Sequence, residues 1–86
     1  MAKVRMYSTR SCPYCQRAQR LLKKRGVKKL EIIDVAGNKK LWAAMEKETR
    51  RNTVPQIFIG GTHVGGFDDL AELDMAGKLQ AMLKAD

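Results

Sequence analysis

Cys12 and Cys15 stand three residues apart with Pro13 and Tyr14 between them, and they are the only two cysteines in the chain. That spacing, beside a strand–helix–strand pattern, reads as a redox pair. Pro13 sharpens the reading. Proline is favoured at the first helical position, where its missing N–H would have had no partner anyway. Cys12 then becomes the N-cap, its sulfur facing the free N–H groups of the first turn and the positive end of the helix dipole. Sites of this kind favour the thiolate. Cys15 lies one turn in, on the same side but deeper. The chemistry expected is thiol–disulfide exchange: Cys12 attacks a disulfide sulfur, and Cys15 resolves the mixed disulfide. Two bland readings compete. One is a pair of structural cysteines that merely lie close. The other is zinc, which needs four ligands, whereas the chain offers two cysteines and the single His63. No metal is therefore expected, and His63 is expected at the surface of a short strand.

Several elements must position this pair. Lys3 to Tyr7 alternates, with Val4 and Met6 on one face and Arg5 and Tyr7 on the other, as a first strand does. Ser8 to Ser11 reads as a loop. A helix follows from Cys12, with Ala18, Leu21 and Leu22 at helical spacing and Gly26 as its stop. Leu30 to Val35 is a second strand. Asn38 is placed to cap a second helix over Lys39 to Thr49, burying Leu41, Trp42 and Met45. Gln56 to Ile59 and Thr62 to Val64 are strands joined by Gly60-Gly61, a two-residue hairpin signal. Asp68 opens a last helical stretch, broken near Gly77. The order β-α-β-α-β-β-α predicts an α/β fold of one domain, residues 1–86: a mixed four-stranded sheet with helices on both faces.

Charge is unevenly spread. The chain carries a net charge of +8. Residues 1–30 hold ten Lys or Arg and no acid, and the cysteine pair lies within them. Such a field draws anionic substrates; it is also what a nucleic-acid surface looks like, or simply a solvated helix face. The basic helix lacks interleaved aromatics and base-reading motifs, so any nucleic-acid binding is expected to be weak, non-specific and lost in moderate salt. No apolar run is long enough for a membrane span, and the first residues do not read as a secretory signal. A cytoplasmic address is the expectation.

Three motifs recur in order: Cys12-Pro13-Tyr14-Cys15, Thr53-Val54-Pro55 and Gly65-Gly66-Phe67-Asp68-Asp69. Together they make the chain resemble a glutaredoxin of the small dithiol bacterial type along essentially its full length. The resemblance implies a thioredoxin-like fold, with glutathione as reducing co-substrate. It also implies a cis Val54–Pro55 bond that turns the Val54 backbone toward Cys12, ready to pair with an extended peptide. It assigns the glutathione contacts to Arg10, Tyr14, Thr53, Val54, Pro55, Gly66, Phe67, Asp68 and Asp69. Gly65 and Gly66 allow close approach, the N–H groups of Phe67 and Asp68 hold the γ-glutamyl carboxylate, and Asp68 or Asp69 holds the ammonium. The same two acids also suit plain helix capping.

The chain departs from the family pattern at several positions. Thr9 stands where relatives carry Lys or Arg, with Arg10 one place later. Arg10 then faces either the glycine carboxylate of glutathione or only the thiolate. Trp42 stands where relatives carry a polar or basic residue, and Arg50 and Arg51 stand where a Gly is common.

The function implied is reduction of protein–glutathione mixed disulfides by Cys12 alone, and of protein disulfides by both cysteines. Partners would be glutathionylated or disulfide-bearing proteins, ribonucleotide reductase being one candidate, met by a monomer. Two other redox readings remain: a protein served by thioredoxin reductase, and a dimer holding an iron–sulfur cluster through Cys12 and glutathione. The Gly65 to Asp69 motif disfavours the first and Pro13 the second.

Overall fold

The computed structural model describes residues 2–85. Met1 and Asp86, the ends of the expected domain, lie outside them. Four strands form one sheet: β1 (Val4–Ser8), β2 (Leu30–Asp34), β3 (Gln56–Ile59) and β4 (Thr62–Gly65), in spatial order β2-β1-β3-β4. β1 pairs parallel with β2, Val4 opposite Leu30, and antiparallel with β3, Val4 opposite Ile59. The β3–β4 hairpin turns at Gly60 and Gly61, whose φ values of 58° and 87° are those of a tight two-residue turn. A register shift interrupts that hairpin between Ile57 and Phe58.

Alternation along the strands divides the core. Val4 and Met6 of β1 and Ile57 and Ile59 of β3 face one side, with Ala18 and Leu22 of α1 (Pro13–Lys24), Leu70 of α3 (Phe67–Met75), and Leu79 and Leu83 of α4 (Leu79–Lys84). Tyr7 and Phe58 face the other side, against Val35, just after β2, and against Met45 of α2 (Lys39–Thr49). Helices therefore cover both faces of the sheet. Trp42 is half-buried against that second cluster, so it acts as core.

Local chemistry sets the helix ends. Asn38 Oδ1 accepts from the Leu41 N–H at 3.0 Å and starts α2. α1 stops where Gly26 takes φ 99°, with its N–H on the Lys23 carbonyl and the Val27 N–H on Leu22. Arg25 then clasps Asp74 with two hydrogen bonds of 2.7 and 2.9 Å, tying the end of α1 to α3. Gly77, at φ 74°, breaks the C-terminal stretch into α3 and α4.

Some element ends move by a residue. β1 runs to Ser8 rather than Tyr7, because Ser8 pairs opposite Asp34. β2 stops at Asp34, one short of Val35. β4 runs on to Gly65, opposite Ile57, and α3 starts at Phe67.

Candidate active site

Cys12 is the N-cap of α1, with Pro13 in the first turn behind it. Its backbone is extended (φ −97°, ψ 109°), and its Sγ accepts from the Cys15 N–H at 3.2 Å. A first-turn N–H aimed at sulfur is the geometry expected from Pro13. The Sγ also lies 3.8 Å from the Val54 carbonyl oxygen, within reach of an S–H donation. Cys12 is half-buried, whereas Cys15 is 1% exposed, and both are free thiols. Burial pushes the Cys15 thiol up, and the adjacent Cys12 sulfur adds to that. Hydrogen bonds at Ser8 and Thr9 oppose the rise. The two sulfurs are thus unequal in access.

Val54–Pro55 is a cis peptide bond. It leads into β3 from the loop after α2 and sets the Val54 carbonyl beside Cys12. The Val54 N–H has no backbone partner among the described residues.

A groove of about 240 Å³ opens next to this loop. Its walls are Tyr14 from α1, Arg51, Thr53, Val54 and Pro55 from the loop, and Gly66 to Asp69 at the start of α3. The first and second motifs thus meet the third across one concavity. Tyr14 and Phe67 form its aromatic lip, ring centroids 6.3 Å apart, with the Arg17 guanidinium 5.4 Å from the Tyr14 centroid. Asp69 folds back so that its Oδ2 accepts from both the Gly66 N–H and Arg51 Nη1, each at 2.9 Å. Arg51 and the Gly66 N–H together hold the Asp69 carboxyl below the usual carboxylate range. Asp68 is exposed on the same rim.

Arg10 stands apart from this groove. Its side chain is 93% exposed and faces Asp34 at 3.5 Å, beside Ser8, Gln16 and Ile32. The positive charge within the groove is Arg51 instead. Arg50 is the C-cap of α2, in the left-handed region at φ 60°, and does not line the groove.

His63 is only partly at the surface expected from its short strand. It is half-buried, with its ring centroid 5.0 Å from that of Phe58 and Nε2 2.8 Å from Oε1 of the fully buried Gln56. Neither Gln56 nor His63 carried a sequence signal for the site. Among the described residues, no cluster of three or more His, Cys, Asp or Glu side chains is arranged to hold a metal ion. No described helix is long and apolar enough to cross a membrane.

The glutaredoxin family model matches residues 4–64, which include β1, the cysteine pair and the cis-proline loop. The chain belongs to the glutaredoxin family. A glutaredoxin of Pseudomonas aeruginosa is 49% identical over 85 residues, covering 99% of this chain and 100% of the relative. Glutaredoxin 3 of Escherichia coli K12 is 46% identical over 84 residues, covering 98% and 100%. Among solved structures, the solution structure of a Brucella melitensis glutaredoxin superposes with a TM-score of 0.85 at 46% identity, covering 98% of this chain and 90% of that one. A buckwheat glutaredoxin–glutathione complex superposes at 0.86 and 33% identity, covering 95% and 76%. The fold is accordingly thioredoxin-like, and glutathione-dependent thiol redox function goes with membership of the family.

Proposed function

We propose that this glutaredoxin is a dithiol oxidoreductase in which Cys12 is the nucleophile for every substrate and Cys15 is needed for only some. The observation that carries this is the asymmetry of the pair: Cys12 Sγ receives a first-turn N–H and lies 3.8 Å from the carbonyl of Val54, a wall of the groove, while Cys15 is buried. With a glutathionylated protein, the Cys12 thiolate attacks the glutathione sulfur. The protein leaves as thiolate and Cys12–glutathione forms. A glutathione thiolate then attacks that adduct, releasing oxidised glutathione and regenerating Cys12. With a protein disulfide, Cys12 attacks one sulfur, and Cys15 attacks Cys12 to free the substrate. The resulting Cys12–Cys15 disulfide is reduced by two glutathiones.

Burial keeps Cys15 protonated and inactive at rest. Bonding of the Cys12 sulfur to a substrate removes one of the influences that raise it. Glutathione lies in the groove, its cysteine backbone paired with Val54 in the manner of an added strand. Its γ-glutamyl carboxylate sits at the N–H groups of Phe67 and Asp68, with the acids Asp68 and Asp69 near its ammonium. Arg51 supplies positive charge to the groove, and Tyr14 and Phe67 cover the ligand.

A coupled assay with glutathione and glutathione reductase tests the scheme. Cys15→Ser should retain most activity on a glutathionylated peptide and lose it on a protein disulfide, and Cys12→Ser should lose both. Deglutathionylation by the Cys12→Ser protein would reassign the nucleophile. Turnover with thioredoxin reductase in place of glutathione would refute the reading of the groove.

A further inference from the structure

Gln56 opens β3 as the first residue of the strand and is fully buried, yet it is polar. Such a group costs stability unless it is bonded throughout. Its Nε2 donates to the Thr53 carbonyl at 3.0 Å and to Thr53 Oγ1 at 3.3 Å. Its Oε1 meets His63 Nε2 at 2.8 Å. These contacts fix one another. The Thr53 carbonyl accepts only, so it must face the amide nitrogen. Oε1 then faces His63, so the proton of the imidazole sits on Nε2. Burial, with the Arg51 charge next, pushes the His63 pKa down and keeps the ring neutral.

The consequence falls on Thr53, which lines the groove. A hydroxyl offers one donor and two lone pairs. One lone pair of Thr53 Oγ1 is taken by the Gln56 amide, and the O–H has no acceptor among the described residues. Donors therefore run one way, from His63 to Gln56 to Thr53, and the last of them is free for the groove.

We propose that Gln56 and His63 are positioning residues that present the Thr53 hydroxyl as a hydrogen-bond donor to an acceptor oxygen, a carboxylate or peptide carbonyl, of the bound glutathionyl group. This rests on the reading of the groove as the glutathione site. It makes Thr53 a specificity residue: it favours substrates that carry a glutathionyl group over disulfides that lack one.

The test compares kcat/KM on one peptide carrying either a glutathionyl or a cysteamine mixed disulfide. The cysteamine group has no acceptor oxygen for Thr53. Loss of one hydrogen bond predicts about a tenfold fall on the glutathionyl substrate in Thr53→Val, with the cysteamine substrate unchanged. Thr53→Ser keeps the hydroxyl and should restore the preference. Gln56→Met should give a similar selective fall in the wild-type background, shrinking to less than about twofold in the Thr53→Val background, since Gln56 acts only through the Thr53 hydroxyl. Should Gln56→Met fail to fold, His63→Leu decides: it frees the amide to turn and should give a smaller selective fall, again absent with Thr53→Val.

The outcomes separate the two levels. If Thr53→Val leaves both substrates alike, the donor role of Thr53 and the relay behind it are overturned; if the unsubstituted protein itself shows no preference for the glutathionyl substrate, the glutathione reading of the groove is wrong. If Thr53→Val is selective but the Gln56 or His63 change is unselective, silent or fully multiplicative with it, the relay is overturned and the pair is merely structural.

Discussion

Gly65 is the position at which one methyl group should do the most damage. It ends β4 with φ at 117°, a backbone that L side chains rarely adopt. A Cβ there would overlap Asp69 Oδ2 and lie 2.8 Å from Arg51 Nη1 and 2.9 Å from Asp69 Cγ. Two costs add. The backbone strain is about 1–3 kcal/mol. The carboxylate must also leave the Gly66 N–H, a capping loss of about 1 kcal/mol. Its ion pair with Arg51 has side chains 46% and 41% exposed, so screening limits its share to a few tenths, about 0.5 kcal/mol at most. Gly65→Ala should therefore destabilise by about 2–4 kcal/mol, against a total of about 4–13 kcal/mol for a chain of this length. That corresponds to a fall in Tm of about 10–25 °C. Thermal melts followed by circular dichroism, with Asp69→Ala and the double variant, separate the costs. In the Asp69→Ala background the methyl meets no carboxylate, and the penalty should shrink by about 1 kcal/mol. A Gly65→Ala protein melting within about 3 °C of the parent, or strict additivity with Asp69→Ala, would refute this account of the turn into α3.

Three further outcomes follow from the same geometry. Arg50 sits in the left-handed region at φ 60°, so Arg50→Gly should raise stability, by up to about 1 kcal/mol in urea titration. The carboxyls of Glu48, Asp69 and Asp74 are held below their ordinary values, chiefly by Arg5, Arg51 and Arg25 respectively. Because the folded values are depressed, their contribution is fully present above the ordinary carboxylate pKa of about 4 and is lost as pH falls through the lowered ones. Melts between pH 2 and 7 should show that loss below about pH 4, and Asp69→Asn should flatten part of it. Finally, Cys15 in the Cys12→Ser protein should be alkylated by iodoacetamide more slowly than free cysteine at pH 7. Its rate should still climb beyond the ordinary thiol pKa of about 8.5, because burial is the main cause of its raised value.

Features set by local chemistry could be read from the residues themselves. Pro13 places Cys12 at the helix cap, Gly60-Gly61 makes the hairpin, and alternation in β1 sends Val4 and Met6 to one face and Tyr7 to the other. Features set by contacts between distant segments could not. Arg51 reaches Asp69 across 18 positions, and only the fold brings the loop after α2 against the start of α3. Arg10 lies two residues before Cys12, yet the loop directs it to Asp34 on β2 and away from the groove. His63 reads as a polar residue in a short strand, because nothing in the spacing reveals that the hairpin sets it against Gln56. Gln56 is masked likewise: a single amide heading an apolar strand gives no periodic signal.

In this mechanism Cys12 alone takes up glutathione. Mass spectrometry of the Cys15→Ser protein after incubation with oxidised glutathione reads this out. One glutathione should be attached, mapped by peptide digestion to Cys12 and removed by excess reduced glutathione, while the Cys12→Ser protein should carry none. A stable adduct on Cys15 in the Cys12→Ser protein, or none on Cys12, would contradict the assignment.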